Sequence, residues 1–463
     1  MRRFHVWLAV GGLVALAGAP GLASAQGFSV NEHGSCAMGR AGTGVASPCN
    51  DGSSMVYNPA GLTMLKPGQT QISVGSTFIR PSGGFEADTG GTSDLEDHTF
   101  PVPALYVSHG FSEKFAAGLG VFAPYGLTTD WVKKSNGVLF PGRFSAYKST
   151  IRNIYIQPTV AYKIVDKMSI GAGFDINMSH LELKQRVDLS EQYVDPVNAP
   201  GVTFGNLGIA YGTDFADGTV TGDATSYGFH IGTTVDVTDK IAIGFRYLSR
   251  HTVDVNDGEA TFNQVYTGIT LPPGNPLGLP AGTPLDTVLA TQFVAGGKLS
   301  KQKGKTSLQL PEQYTLGAAF KATDRLSLLF DWTMTNWEVW DEVVLKLDKA
   351  GTTTLPQNFD KSYAYRFGAE YGLGSGRVVR AGFITHNAAA PDETVTPTLP
   401  EGARSEFTAG FGTGLGSSGH LDLAYQYIDQ GDRRGRTRGY PAANDGVYSF
   451  KAHLFGATFT WNF

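Results

Sequence analysis

From Gln69 to the end of the chain, hydrophobic and polar residues alternate with a period of two, segment after segment. That pattern puts apolar side chains on one face of a strand and polar ones on the other. The clearest case carries Ile154, Ile156, Pro158, Val160, Tyr162 and Ile164 on one face, opposed by Tyr155, Gln157, Thr159, Ala161 and Lys163. The next segment sets Met168, Ile170, Ala172, Phe174, Ile176 and Met178 against Ser169, Gly171, Gly173, Asp175, Asn177 and Ser179. Fourteen such strands are predicted, at 69–80, 101–110, 115–127, 150–164, 167–188, 222–236, 240–256, 307–321, 325–347, 361–372, 377–387, 404–412, 419–429 and 447–463. Very short links fall near Ser112-Glu113, Val165-Asp166, Thr238-Asp239, Thr323-Asp324, Gly374-Ser375 and Ser417-Ser418, and the links between them are long. An up-and-down membrane barrel has this rhythm, with short periplasmic turns and long extracellular loops. Periodicity alone also fits a soluble β-sandwich.

The two ends of the chain decide between them. Phe455, Ala457, Phe459, Trp461 and Phe463 share one face of the last strand, and the final residue is aromatic. A terminal Phe on an alternating strand resembles the signal by which the barrel-assembly machinery recognises bacterial outer-membrane barrels. Further back the apolar face changes parity to Tyr448, Phe450, Ala452 and Leu454, which predicts a bulge near Leu454. At the other end, Arg2 and Arg3 precede an apolar run from Val6 to Ala17, and Ala23-Ser24-Ala25 offers small residues for cleavage. The run is shorter than the roughly 20 residues of a membrane-spanning helix, so residues 1–25 read as a signal peptide and the mature chain as beginning at Gln26.

Composition fits a barrel in the bacterial outer membrane. No later apolar stretch is long enough for a membrane helix, and mean hydropathy is −0.12. Gly makes up 60 of 463 residues and aromatics 11%, as expected where many strands bend and rings face an interface. Net charge is −5, or −7 without Arg2 and Arg3, and the basic residues are dispersed, so no nucleic-acid partner is indicated. Cys36 and Cys49 are the only cysteines, and an oxidising compartment favours a bridge between them over two free thiols.

Two of the predicted extracellular loops, near 189–221 and 256–306, are longer than turning requires. In the second, Leu271, Leu277 and Leu279 lie among prolines, while Leu285, Val288, Leu289 and Phe293 have helical spacing. Either an apolar capture groove facing outward or a Pro-rich loop with no binding role fits this stretch. Lys298, Lys301, Lys303 and Lys305 follow, reading as a solvated edge or one facing lipopolysaccharide phosphates.

Residues 26–68 lack strand alternation, are too polar for lipid and too few for a separate domain, which leaves the barrel lumen as their place. Here Gly27-Phe28, Asn31-Glu32, Gly39-Arg40-Ala41 and above all Asn58-Pro59-Ala60-Gly61-Leu62 resemble the FadL family of outer-membrane transporters for long-chain fatty acids and aromatic hydrocarbons. The resemblance continues through Pro124-Tyr125-Gly126-Leu127, Leu310-Pro311, Trp332 with Trp337, Pro391-Asp392 and Leu399-Pro400. The Cys pair and the insertion-rich fourth long loop are departures from the family pattern.

The resemblance implies an all-β, 14-stranded antiparallel transmembrane β-barrel, plugged by a small, partly helical N-terminal hatch and expected to be a monomer. It also implies that Asn58, Pro59 and Ala60 touch an inward kink of the third strand, and that Gly27 and Phe28 border a ligand pocket. The residues agree with a kink, because Pro124 has no N–H and Gly126 permits a bend. Phe122, Ala123 and Tyr125 would then border a gap in the wall. The implied mechanism is passive: loop capture of a hydrophobic small molecule, an apolar pocket, and sideways exit through the gap into the membrane. Candidate headgroup contacts, read as inward-facing, are His180, Arg246, Arg250 and Lys346. Arg is replaced by His at position 180 relative to the family, which keeps neutral aromatic or alkane hydrocarbons in play as substrates.

Other readings are a diffusion porin for polar solutes and an adhesive surface barrel. Enzyme signals are poor. Gly414-Leu415-Gly416-Ser417-Ser418-Gly419 fits a dinucleotide glycine pattern, but alternating Leu421, Leu423, Tyr425 and Tyr427 follow where a helix should, so it is a hairpin turn. No Gly-x-Ser-x-Gly elbow and no metal-ligand spacing is present, so neither a cofactor nor a metal is expected.

Overall fold

The alternation becomes a single closed sheet of fourteen antiparallel strands in the computed structural model, which describes residues 27–135, 137–188, 190–195, 199–435 and 444–463. The expected signal peptide lies outside the described residues. The strands are β1 (Thr70–Ala87), β2 (Phe100–Gly110), β3 (Phe115–Phe122, then Gly126–Asp130), β4 (Lys148–Val165), β5 (Met168–Val187), β6 (Ala216–Asp236) and β7 (Ile241–Leu248, then His251–Gln264). They continue as β8 (Gln302–Leu310, then Gln313–Lys321), β9 (Leu326–Thr335, then Glu342–Leu347), β10 (Gly351–Pro356, then Ser362–Gly374), β11 (Arg377–His386), β12 (Arg404–Leu415), β13 (Gly419–Gly435) and β14 (Gly446–Asn462). β14 pairs with β1 from Gln71↔Asn462 to Ala87↔Gly446, which closes the cylinder and removes its edges. Outward-facing Leu119, Val160, Ile170, Phe174, Leu316 and Phe367 form the apolar band expected against lipid. Ring pairs flank it, Phe111 with Phe115 at 5.6 Å toward the short turns and Tyr247 with Tyr314 at 4.8 Å toward the long loops.

Several strands run further than their sequence pattern predicts, because the polarity of their two faces inverts part-way up. Along β5 the inward residues are Ser169, Gly171, Gly173, Asp175, Asn177 and Ser179 in the lower half, then Leu181, Leu183 and Val187, with Glu182, Lys184 and Arg186 outside. β8 passes from Thr315 and Gln313 to Leu310 and Leu308, and β9 from Thr333 to Val343 and Leu345. In the same way, β14 passes from Thr460 and Thr458 to Leu454, Ala452 and Tyr448, all buried. The bulge predicted near Leu454 is therefore absent: β14 runs in unbroken register against β1, and Tyr448 to Leu454 are apolar because they face the lumen. The barrel interior is thus polar below and apolar above.

Residues 27–68 fill the polar half. They include α1 (Ser35–Met38), α2 (Ser54–Tyr57) and a 3-10 turn at Pro59–Met64. Cys36 and Cys49 are joined by a disulfide with Cα atoms 6.3 Å apart, and closing so short a loop stabilises the segment by about 3 kcal/mol in the chain-entropy model. Wall side chains then satisfy its backbone around the circumference. Thr458 Oγ1 accepts from Ser35 N–H at 2.9 Å, Thr408 Oγ1 from Ala41 N–H at 3.0 Å, and Asp331 Oδ2 from Gly44 and Val45 N–H at 2.9 and 3.2 Å.

Asn58 anchors the remaining side. Its Oδ1 caps the 3-10 turn by accepting from Ala60 N–H at 3.1 Å, and its Nδ2 donates to Val45 O at 2.6 Å and to Thr233 O of β6 at 2.9 Å. Asn58, Pro59 and Ala60 are fully buried, Asn58 bonded to β6 and Pro59 close against Gly171 of β5, and the turn they open also touches β3 and β4, while the hydrogen bonds to the kink itself come from Phe28 and Val30. The approach is close because Gly171 and Gly232 face them. A Cβ on Gly171 would lie 2.4 Å from the Pro59 carbonyl carbon, and one on Gly232 would lie 2.2 Å from Asn58 Oδ1. Replacing Gly171 by Val should leave a heat-modifiable, assembled barrel whose N-terminal segment is unseated, seen as steady ion conductance in planar bilayers. Conductance as low as that of the unmodified protein would show that the segment does not depend on this contact.

Candidate functional site

The third strand is broken at Ala123–Pro124–Tyr125, where Pro124 cannot donate to a ladder. Below the break, Phe115–Phe122 pairs with both β2 and β4. Above it, Gly126–Asp130 pairs with β4 through Gly126↔Arg152 to Asp130↔Lys148, while the ladder to β2 has already ended at Leu105↔Val121. Pairing across this seam resumes only at the top, where Glu96 N–H donates to Asp130 O at 2.8 Å and Val132 N–H to Asp94 O at 2.9 Å. A window is left between β2 and β3. Gly110 N–H donates to the carbonyl of Gln69, just before β1, so by alternation the odd-numbered residues of β2 turn their backbone groups toward the window. Two of these are Pro101 and Pro103, so the edge on that side carries few donors.

The backbone of the break is met from inside by the N-terminal segment. Val30 N–H donates to Pro124 O at 2.8 Å, Gly126 N–H donates to Phe28 O at 3.0 Å, and Ser29 bridges antiparallel to Tyr125. Residues 28–30 thus stand where β2 would have paired. The Phe28 ring packs edge-on against Trp337, Trp340 and Tyr125, with centroids 4.7, 5.1 and 6.2 Å away. Gly27 is held at φ +58, and a Cβ there would lie 2.4 Å from the Trp337 ring, so no other residue fits. Its N–H donates at 3.1 Å to Glu401, a fully buried carboxylate between β11 and β12 that also accepts from Ala389 and Ala390 N–H. Phe122 and Tyr125 are buried inward, and Tyr125 O–H donates to Pro311 O at 2.6 Å.

His33 braces this arrangement. Its Nε2 donates to Val30 O at 2.8 Å and its ring lies edge-on to Phe122 at 5.5 Å. Burial pushes its pKa down to about 4, so the ring is held neutral. Asp51, deeper in the segment, is pushed up to about 6, again by burial, although Ser53 bonds to it.

Above the break the apolar halves of β5 to β9 form a continuous lining through Leu310, Leu308, Val253, Val255 and Leu181. It leads to a cavity of about 470 Å³ among Leu183, Val187, Val220, Phe262, Leu345 and Leu347, roofed by the two longest loops. The predicted capture residues do not form an open groove. Leu271, Leu285 and Leu289 are buried, with Leu277 and Phe293 packed against them, in a cluster with Phe204, Leu207, Ile209 and Phe215 of the other long loop, and Leu279 is left 39% exposed. Leu285–Leu289 is helical, as its spacing predicts. Lys298, read from sequence as part of a solvated or lipopolysaccharide-facing edge, lines the cavity.

Three of the four expected headgroup cations point away from the lumen. His180 lies on the outer face of β5, with Nδ1 2.8 Å from Asp223, and Lys346 is exposed outside β9, opposite Lys305. The reason is parity: Ser179 and Leu345 face inward, so their neighbours cannot. Arg250 sits at the break in β7 and bonds Glu312 with two nitrogens, at 2.9 and 3.2 Å. Arg246 alone faces inward, where it donates to His230 Nε2 at 3.0 Å and Gln313 Oε1 at 2.9 Å. Glu401 and Trp340 went unnoticed in the sequence, although Glu401 directly follows the Leu399-Pro400 pair.

A family model described as outer membrane protein transport protein (OMPP1/FadL/TodX) matches residues 16–463. The chain belongs to that family. As an OMPP1/FadL/TodX protein it is an outer-membrane transporter of hydrophobic compounds and not an enzyme. A long-chain fatty acid transport protein of Escherichia coli is 25% identical to it, over 97% of this chain and 98% of that one. A FadL homologue of Pseudomonas aeruginosa superposes with a TM-score of 0.76 at 21% identity, covering 94% and 99% of the two chains. The toluene transporter TodX of Pseudomonas putida superposes at 0.67 with 16% identity, covering 94% and 99%. These structures share its fold.

The ionisation of His33 predicts how the seated segment responds to acid. A pKa lowered in the seated state means that protons favour the unseated one, so the His33 contribution to seating residues 27–34 is complete above about 6.5 and is lost as pH falls toward 4, whereas Asp51, raised to about 6, acts with the opposite sign on the part of the segment around it. The full shift corresponds to roughly 3 kcal/mol. Protease accessibility of residues 27–34, which His33 braces, should rise over that window, and His33→Gln should remove most of the rise. An identical pH profile for the variant would exclude His33 as the cause.

Proposed function

We propose that the protein takes up long-chain fatty acids, passing them from the loop cavity down the apolar lining to the kink and sideways through the β2–β3 window into the membrane. The observation that carries this reading is the end of the β2–β3 ladder at Leu105↔Val121, beside a break covered from inside by Phe28, Ser29 and Val30. A closed, lipid-facing wall has no use for a seam whose edges lack donors, whereas a hydrophobic solute leaving the lumen needs a gap free of polar groups seeking partners. The solute stays in apolar surroundings throughout, each methylene kept from water being worth about 0.8 kcal/mol, so no energy source is required. Residues 27–68 act as the hatch, and moving residues 27–30 opens the route.

The fatty-acid reading draws on the name of the Escherichia coli relative and on Lys298 at the cavity, a cation suited to a carboxylate at capture. Uptake of aromatic hydrocarbons is the second reading. The outward parity of His180 and Lys346 and the engagement of Arg246 with His230 and Gln313 favour it, since the lining presents little charge to a headgroup. Radiolabelled oleate and toluene uptake, measured in cells lacking the gene and complemented with it, separates the two.

Restoring donors along the seam with Pro101→Val, Pro103→Val and Pro124→Val together should lower uptake at least tenfold while the barrel still assembles and inserts. Undiminished uptake by the triple variant would remove lateral exit from the mechanism.

A further inference from the structure

Just behind the kink, where the lumen changes from polar to apolar, Tyr155 of β4, Asp175 of β5 and His251 of β7 come together with every side chain fully buried. The grouping is built rather than incidental. Gly228 of β6 has no side chain, and a Cβ there would lie 2.3 Å from His251 Nε2, so only glycine lets the imidazole cross that strand toward Asp175. The Tyr155 and His251 rings lie 4.7 Å apart, and Tyr155 is 6.4 Å from Tyr125 of the kink. Immediately above stand Leu181, Ala224 and Val253 of the apolar lining.

These polar groups do not satisfy one another. Both carboxylate oxygens of Asp175, the Tyr155 hydroxyl and His251 Nε2 are buried without a hydrogen-bond partner. The His251 tautomer follows from the neighbours of its two nitrogens. The Asp175 carboxylate faces Nε2, and the Ser226 hydroxyl, which accepts from Asn177 Nδ2 at 3.0 Å, has its hydrogen free for His251 Nδ1 at 3.4 Å, so the tautomer with its proton on Nε2 suits both neighbours. That N–H faces Asp175 Oδ2 across 3.7 Å, beyond bonding distance. The Tyr155 hydroxyl, His251 Nε2 and both Asp175 oxygens are therefore unmet polar groups on neighbouring side chains at the foot of an apolar lining.

We propose that Tyr155, Asp175 and His251 form a seat for the polar end of an amphiphilic substrate bearing a neutral O–H group: a protonated carboxylic acid, an alcohol or a phenol. Such a group donates to Asp175 and accepts from Tyr155 or His251, which answers the unmet groups from both sides. A carboxylate accepts only and is repelled by Asp175. A hydrocarbon offers neither function and leaves a buried carboxylate unpaired, the costliest outcome for such a site. A fatty acid held as its anion near Lys298 thus takes up a proton from the water of the outer medium and reaches the kink as the neutral acid. This inference rests on the proposed passage of a hydrophobic molecule from the loop cavity to the kink.

The test compares 1-dodecanol with dodecyl methyl ether, which has the same chain but no donor, as competitors of tritiated 1-dodecanol on the mature protein in lipid nanodiscs. The wild type should prefer the alcohol by about tenfold or more, the worth of one hydrogen bond to a charged group. Asp175→Leu should bring the ratio close to one, and His251→Phe should reduce it. Equal affinities for the wild type, or an unchanged ratio in an assembled Asp175→Leu barrel, would overturn the proposal. If Asp175→Leu does not assemble, the wild-type ratio and His251→Phe decide. Binding of neither competitor would instead overturn the transport reading beneath it.

Discussion

In a wall surrounded by lipid, every backbone N–H and C=O must find a partner within the protein, and that requirement governs the region around the third strand. A closed ladder meets it everywhere except at Ala123–Pro124–Tyr125, where the strand turns inward and leaves its neighbour. The missing partners come from opposite kinds of solution on the two sides. On the inner side Phe28 and Val30 bond to the broken strand directly, while on the β2 side Pro101 and Pro103 have no donor to satisfy. A break that would otherwise expose polar backbone to hydrocarbon is thereby tolerated, and its inner cover is a few residues at the start of a segment otherwise tied to the wall.

The inversion of polarity along the lumen follows the same economy of partners. Where residues 31–68 fill the interior, the wall presents Thr458, Thr408, Asp331 and Ser169, each bonded to that segment. Where no backbone needs serving, the same strands present Leu, Val and aromatic side chains. The border between the halves lies at the height of the breaks in β3, β7, β8 and β9, and Phe28, Tyr125, Trp337 and Trp340 gather there. Interruptions in several strands thus fall together at the level where the lining changes character.

The lower barrel was legible in the sequence because its two faces meet very different media. Ile154 to Ile164 and Phe455 to Phe463 could be assigned to lipid at sight, and the six short turns fell into place between them. The upper barrel was not, because outside is water and inside is apolar, so the same alternation carries the opposite meaning. That inversion made Tyr448 to Leu454 look like a slipped register and cut the predicted ends of β6, β7 and β8 short. It also misplaced His180 and Lys346, whose orientation depends only on whether their position is even or odd relative to Ser179 and Leu345. The bond from Gly27 to Glu401 spans 374 positions, and no local pattern announces such a pairing. Pro124 was informative for the opposite reason, since what it lacks is fixed by its own covalent structure.

The Cys36–Cys49 bridge divides the interior segment by the kind of bond that holds it. Residues 36–49 form a covalently closed loop, whereas the leader from Gly27 to Gly34 lies outside that loop and is held by hydrogen bonds and ring packing alone. On the proposed sideways route, moving the leader would not require the cross-linked part to leave the lumen, so a solute would pass through the wall while the axial path stays blocked to hydrophilic molecules.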